Sequence, residues 1–191
     1  MSDSSSSLNH PITQFLNSVR QMIYPIVKYG DPVLEKPAAP VTEFDHKLRK
    51  LVEDMFESMY AAKGVGLAAP QIGISKKIAV IDCSNGENPD EKLVLINPQI
   101  LKVEGKQVGE EGCLSIPTFR EQVRRGKRVT VRAQNQNGEE YEITGEDLLA
   151  RALLHETEHL HGRLYITHLS TLKRDLIKRK IKKLQRAGDW G

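Results

Sequence analysis

The chain has 191 residues, 39% hydrophobic and 28% charged, with two cysteines and a net charge of +3. A chain of this length holds one substantial core, and too few cysteines are present for a disulfide framework. No apolar run reaches the ~20 residues that cross a bilayer, which argues against a membrane partner.

The charge is uneven: residues 171–191 hold eight Lys+Arg against two Asp+Glu, leaving 20 against 23 in residues 1–170. A polyanion would meet the basic end first.

Residues 1–21 open on a serine-rich stretch without the basic start and apolar core of a signal peptide, so the expected compartment is cytoplasmic. "ITQFLNSVRQMI" has helical spacing, but 1–21 as a whole is expected to be a flexible extension. Pro32, Pro37 and Pro40 make "YGDPVLEKPAAPV" a loop. From Asp45 to Ala62, apolar Leu48, Leu51, Val52, Met55, Phe56 and Met59 recur at the spacing of one amphipathic helix.

Beyond "GVGLAAPQIG", the runs "KKIAVID", "KLVLINP", "QILKVEG", "RVTVRAQ" and "EYEITG" read as strands, with an Asn-Gly hairpin turn in "NQNGEE". Helical spacing returns in "TGEDLLARALLHETEHLHG", where Thr144 and Asp147 resemble a capping box and Gly162 suits a C-terminal cap. A last helix runs from about Ser170 to Arg186. The expected class is α+β: mixed or antiparallel β-sheets surrounding a central helix, with an N-terminal helix and a basic C-terminal helix.

The central helix carries "HETEH". Residues four apart share a helical face, so His155 and His159 can present two imidazoles to one metal, with Glu156 beside a bound water. The spacing suits metal-assisted hydrolysis. The stripes Leu148, Ala152, His155, His159 and Leu149, Leu153, Glu156, Leu160 form the apolar side, which places Arg151, Glu158 and His161 on the other.

A catalytic centre usually has three protein ligands and one open position. The pattern HExxHxxGxxH fails at its third histidine, where Tyr165 stands, and no glutamate follows Glu158. Asp175 and His168 are formal alternatives, although Asp175 in the basic helix suits an i, i+4 pair with Arg179 better. Cys113 in "GEEGCLSIP" is a plausible third ligand, whereas Cys83 reads as a half-buried strand residue.

Three segments, "GVGLAAPQIG" (64–73), "EEGCLSIP" (110–117) and "HETEHLHG" (155–162), together resemble the bacterial peptide deformylases, and the likeness runs over about residues 22–187. The resemblance implies removal of the formyl group from N-formylmethionyl peptides of nascent chains. It implies Cys113, His155 and His159 as metal ligands, Glu156 as acid/base, and Gln71 with the Leu114 backbone amide as oxyanion donors. It also places substrate main chain beside Val65 and Gly66. Iron(II) is the native ion it favours, with zinc, nickel or cobalt suiting the same donors.

By this reading 1–21 is the extension, 22–170 the metallohydrolase catalytic domain and 171–191 the basic helix and tail. The resemblance supports contact of that helix with ribosomal RNA; no DNA partner is expected. Two departures stand in the helix: Leu154 where the family has glutamine, and Glu158 where it has aspartate. Glu158 is expected to pair with Arg120 or Arg125. The rival readings are a metallopeptidase using the same helix and a ribosome-associated binding module with a structural metal.

Overall fold

The computed structural model describes residues 21–190. The expected extension therefore lies almost wholly outside the described residues. Helix α1, His46–Ala61, starts where the Asp45 carboxylate accepts from Leu48 N at 2.9 Å. Strands β1 (Gly66–Ala68), β2 (Ile78–Ile81), β3 (Leu93–Glu104), β6 (Arg128–Gln134) and β7 (Glu140–Glu146) form one antiparallel sheet in the order β1-β2-β3-β6-β7. Strands β4 (Gln107–Cys113) and β5 (Ile116–Arg125) form a separate hairpin.

Helix α2, Asp147–His159, packs on one sheet face and α1 on the other. Strand β2 shows why. Its side chains alternate, Ile78 and Val80 joining the α1 core while Ala79 and Ile81 join the α2 core, so a fully apolar run serves two layers. A third core joins β5 to Leu164–Leu169 and to helix α3, Thr171–Ala187, which buries Ile177 and Ile181. The class is α+β, as the sequence predicts.

Local departures have identifiable causes. "KLVLINP" and "QILKVEG" form the single strand β3, irregular at Asn97, which adopts φ 51° and whose side-chain amide bonds both N and O of Val41. The bulge lets the strand pass Pro98 without losing β6. The "NQNGEE" turn exists, but it spans five residues, with Gly138 at φ 85° taking the left-handed position.

The capping box does not form. Thr144 is held in β7, its hydroxyl facing that of Thr130 at 2.9 Å, and the chain passes directly from strand to helix at Asp147. There the helix opening is tied down from outside: Asp147 N donates to Lys127 O, and Gln107 Nε2 donates to Asp147 O.

Among the described residues, no helix is long and apolar enough to cross a membrane.

Candidate metal centre

Cys113 ends β4 at the tight turn into β5, and that turn carries its sulfur to the inner face of α2. Cys113 Sγ lies 3.2 Å from His159 Nε2, which lies 3.2 Å from His155 Nε2. All three donor atoms fall within 4.8 Å of one another. One sulfur and two imidazole nitrogens crowded this closely fit a shared divalent cation of the borderline-soft class. Burial and the neighbouring His155 hold His159 well below the usual histidine range, which favours the neutral ring that a metal needs.

His155 is oriented by Glu111, whose carboxylate faces Nδ1 at 2.7 Å. Glu111 also accepts from Arg125 Nε and Nη2 and from Arg151 Nη1, at 3.0, 2.5 and 2.7 Å. Burial opposes its charge, but hydrogen bonds from His155 and Arg125 hold the carboxyl well below the ordinary range. Glu158 accepts from Arg125 Nη1 at 2.7 Å and also meets His168 Nε2 at 2.8 Å. Of the two partners expected for Glu158, the structure selects Arg125; Arg120 faces Glu110 instead.

This cluster corrects the helical-wheel reading. Arg151 and Glu158 are buried, whereas Leu148, on the expected apolar side, is half exposed at the mouth of a cavity. The hairpin β4–β5 causes the burial of Arg151 and Glu158. It covers the face of α2 that would otherwise meet solvent, and it brings Glu111 and Arg125 to neutralise the charges there. His161 is exposed, away from the apolar side as the wheel places it, and turns back on its own helix, its Nδ1 meeting Thr157 O at 2.8 Å.

Glu156 projects toward β1. A Cβ on Gly66 would come within 2.4 Å of Glu156 Oε1, so only glycine admits the carboxylate here. Its Oε2 is buried without a partner among the described residues. Burial pushes this carboxyl up to about 7.

Gln71 is fixed by Ala68 N donating to its Oε1 at 2.8 Å, which turns Nε2 toward Cys113 Sγ and Ser115 Oγ, at 3.5 and 3.4 Å. A cavity of about 570 Å³ opens at the centre, with Val65, Gly66, Gln71, Leu114, His155 and Glu156 in its wall.

The remaining ligand candidates lie elsewhere. His168 joins the Arg125–Glu158 pair, and Asp175 offers its backbone carbonyl to Arg179 Nε at 3.4 Å. Cys83 is half-buried beyond β2, with its thiol pushed up to about 11 by burial.

Residues 23–175 match the family model described as polypeptide deformylase. A peptide deformylase of Acidobacterium capsulatum is 65% identical over 169 residues, covering 88% of this chain and 99% of that protein. The solved peptide deformylase of Legionella pneumophila aligns with TM-score 0.81 at 45% identity, over 87% of this chain and 98% of the other. That of Synechococcus elongatus, solved in complex with actinonin, aligns with TM-score 0.78 at 38% identity, over 82% and 86%. With the fold, the three converging donors and these relatives together, the chain belongs to the polypeptide deformylase family.

Proposed function

We propose that Cys113, His155 and His159 hold one divalent cation and that Glu156 handles the proton in the hydrolysis of an N-terminal formamide. The chain is a metal-dependent hydrolase that removes the formyl group from N-formylmethionyl peptides. The observation that carries the residue assignment is the convergence of one thiol and two imidazoles beside a buried carboxylate with a free oxygen.

A cation held by Cys113, His155 and His159 would supply Lewis acidity, toward the formyl oxygen and toward a water near neutral pH. Glu156 accepts the water's proton and returns it to the departing nitrogen, so that the C–N bond breaks to give formate and a free amine. Gln71 Nε2 and the Leu114 amide N–H donate to the formyl oxygen as it gains charge, adding no formal charge of their own. Val65 and Gly66 take the substrate main chain: β1 is the edge strand of its sheet, and both residues line the cavity.

The metal-loaded protein should release formate from N-formyl-Met-Ala while leaving internal peptide bonds intact. Cleavage of an internal bond with no formate would favour the metallopeptidase reading.

Ligand type does not separate iron(II) from zinc, nickel or cobalt. The resemblance to the bacterial enzymes favours iron(II) as the native ion. On that assignment, anaerobically purified protein loses activity in air, through oxidation of iron or of the Cys113 thiolate, while a nickel form persists. Equal survival of both forms would remove the iron assignment.

We further propose that 22–170 carries the chemistry in the cytoplasm and that 171–191 faces ribosomal RNA. Helix α3 turns Ile177 and Ile181 into the body and leaves Lys178, Arg179, Lys182 and Lys183 exposed. Deleting the helix would open the third core, so charge reversal is the cleaner test. Lys178→Glu with Lys182→Glu should weaken ribosome binding and flatten its salt dependence, with formate release retained. Unchanged binding would remove the assignment.

A further inference from the structure

Arg151 is a buried charge that the reaction does not consume. It lines the catalytic cavity together with Leu148, Ala152 and His155 of the same helix. Arg151 precedes His155 by one helical turn, about 6 Å along the axis. If the formamide lies at the Cys113, His155 and His159 donors, as proposed above, the substrate's first side chain is attached one atom beyond the formamide nitrogen. It is therefore close enough to run along this wall.

The wall is mixed in character. Val65, Leu114, Leu148 and Ala152 offer apolar surface, and the guanidinium interrupts it. Arg151 Nη1 is committed to Glu111 Oε2 at 2.7 Å and Val123 O at 3.3 Å, and Nη2 reaches Gln107 Oε1 only at 3.5 Å. Nε–H has no protein partner among the described residues and is not among the fully buried unpaired atoms.

Gly109 on β4 makes room for the group, since a Cβ there would lie 2.9 Å from Arg151 Nη2. The charges of Arg125 and Arg151 are matched by those of Glu111 and Glu158, so the cluster calls for a neutral acceptor rather than an anion.

We propose that Arg151 equips this cavity to accept N-formyl peptides whose first residue is methionine sulfoxide as well as those beginning with methionine. A thioether is a weak acceptor and asks little of the guanidinium. A sulfoxide oxygen is a strong, neutral acceptor that would be rejected by a wholly apolar pocket, because its hydrogen bonds to water would be lost without replacement. Here the unpaired N–H replaces them with a charge-assisted bond. Because the donor has a fixed position, one sulfur epimer fits better than the other.

The test compares formate release by the metal-loaded full chain from N-formyl-Met-Ala and from each epimer of its sulfoxide. Expected is one epimer within about tenfold of methionine in kcat/KM, with Arg151→Leu lowering the sulfoxide-to-methionine ratio by about tenfold or more. Gly109→Ala keeps the charge but displaces the guanidinium, so it should move the ratio the same way and serves if Arg151→Leu does not fold. Wild-type rejection of both epimers by more than about 100-fold, or a ratio that neither variant moves, overturns the proposal. Absence of formate from N-formyl-Met-Ala itself would overturn the deformylase reading instead, so the two failures are distinguishable.

Discussion

Glu156→Ala is expected to lower kcat for N-formyl-Met-Ala by about 10²–10⁴-fold, the range that a positioned acid/base contributes, while the protein keeps its metal. The reason is positional. Glu156 is not among the three converging donors, but its carboxylate packs against Gly66 on the cavity wall with one oxygen unpaired. Removing it leaves Cys113, His155 and His159 in place. Metal analysis together with single-turnover formate release checks the prediction. Loss of metal in step with activity would make Glu156 a ligand or a structural prop instead. Glu156→Gln keeps the volume beside Gly66 and should be as impaired as the alanine variant, since the amide cannot take the proton.

Glu111→Ala is expected to cost about 3–5 kcal/mol of stability, the range for breaking a buried ion pair from one side, and about 10–100-fold in metal affinity. The carboxylate bonds Arg125, Arg151 and His155 at once, so its loss leaves Arg151 without a carboxylate, leaves Arg125 with Glu158 alone, and frees the His155 ring. Calorimetry and metal titration read the two effects separately. The acid dependence has a definite sign. The folded-state pKa of Glu111 is depressed, so the stability tied to its charge is complete above the ordinary value of 4.5 and is lost as pH falls toward the folded value. The gap between wild type and Glu111→Gln should therefore be widest near neutrality and narrow in acid. A gap of under ~0.5 kcal/mol at neutral pH would show that the cluster adds little to the fold.

What the sequence makes legible follows from how each segment is stabilised. Helices α1 and α3 and strand β6 bury apolar side chains at regular spacing, β7 half-buries Tyr141 and Ile143 at alternate positions, and β2 is apolar throughout, so an apolar pattern shows in the residues. Hairpin β4–β5 does not show it. "QVGEEGC" and "IPTFREQVRR" bury Glu111 and Arg125 by pairing them with each other and with α2, and apolar spacing is blind to charges that satisfy one another. The same blindness puts Arg151 and Glu158 on the wrong side of α2.

The candidate site divides in the same way. Spacing along one helix relates His155, Glu156 and His159, and the glycine-flanked cysteine stands out by residue type. The roles of Glu111, Arg125 and Arg151 depend on a hairpin folding back across some 40 positions, and no local pattern announces that. Glu158 is an intermediate case. Two arginines were plausible partners by charge, and only the hairpin's register decides for Arg125.

The most direct measurement is X-ray absorption fine structure of the zinc-loaded protein, which counts the atoms around the ion without reference to activity. Expected are one sulfur at ~2.3 Å, two imidazole nitrogens at ~2.0–2.1 Å and one light oxygen neighbour. A first shell without sulfur, or one unchanged in Cys113→Ala, would contradict it.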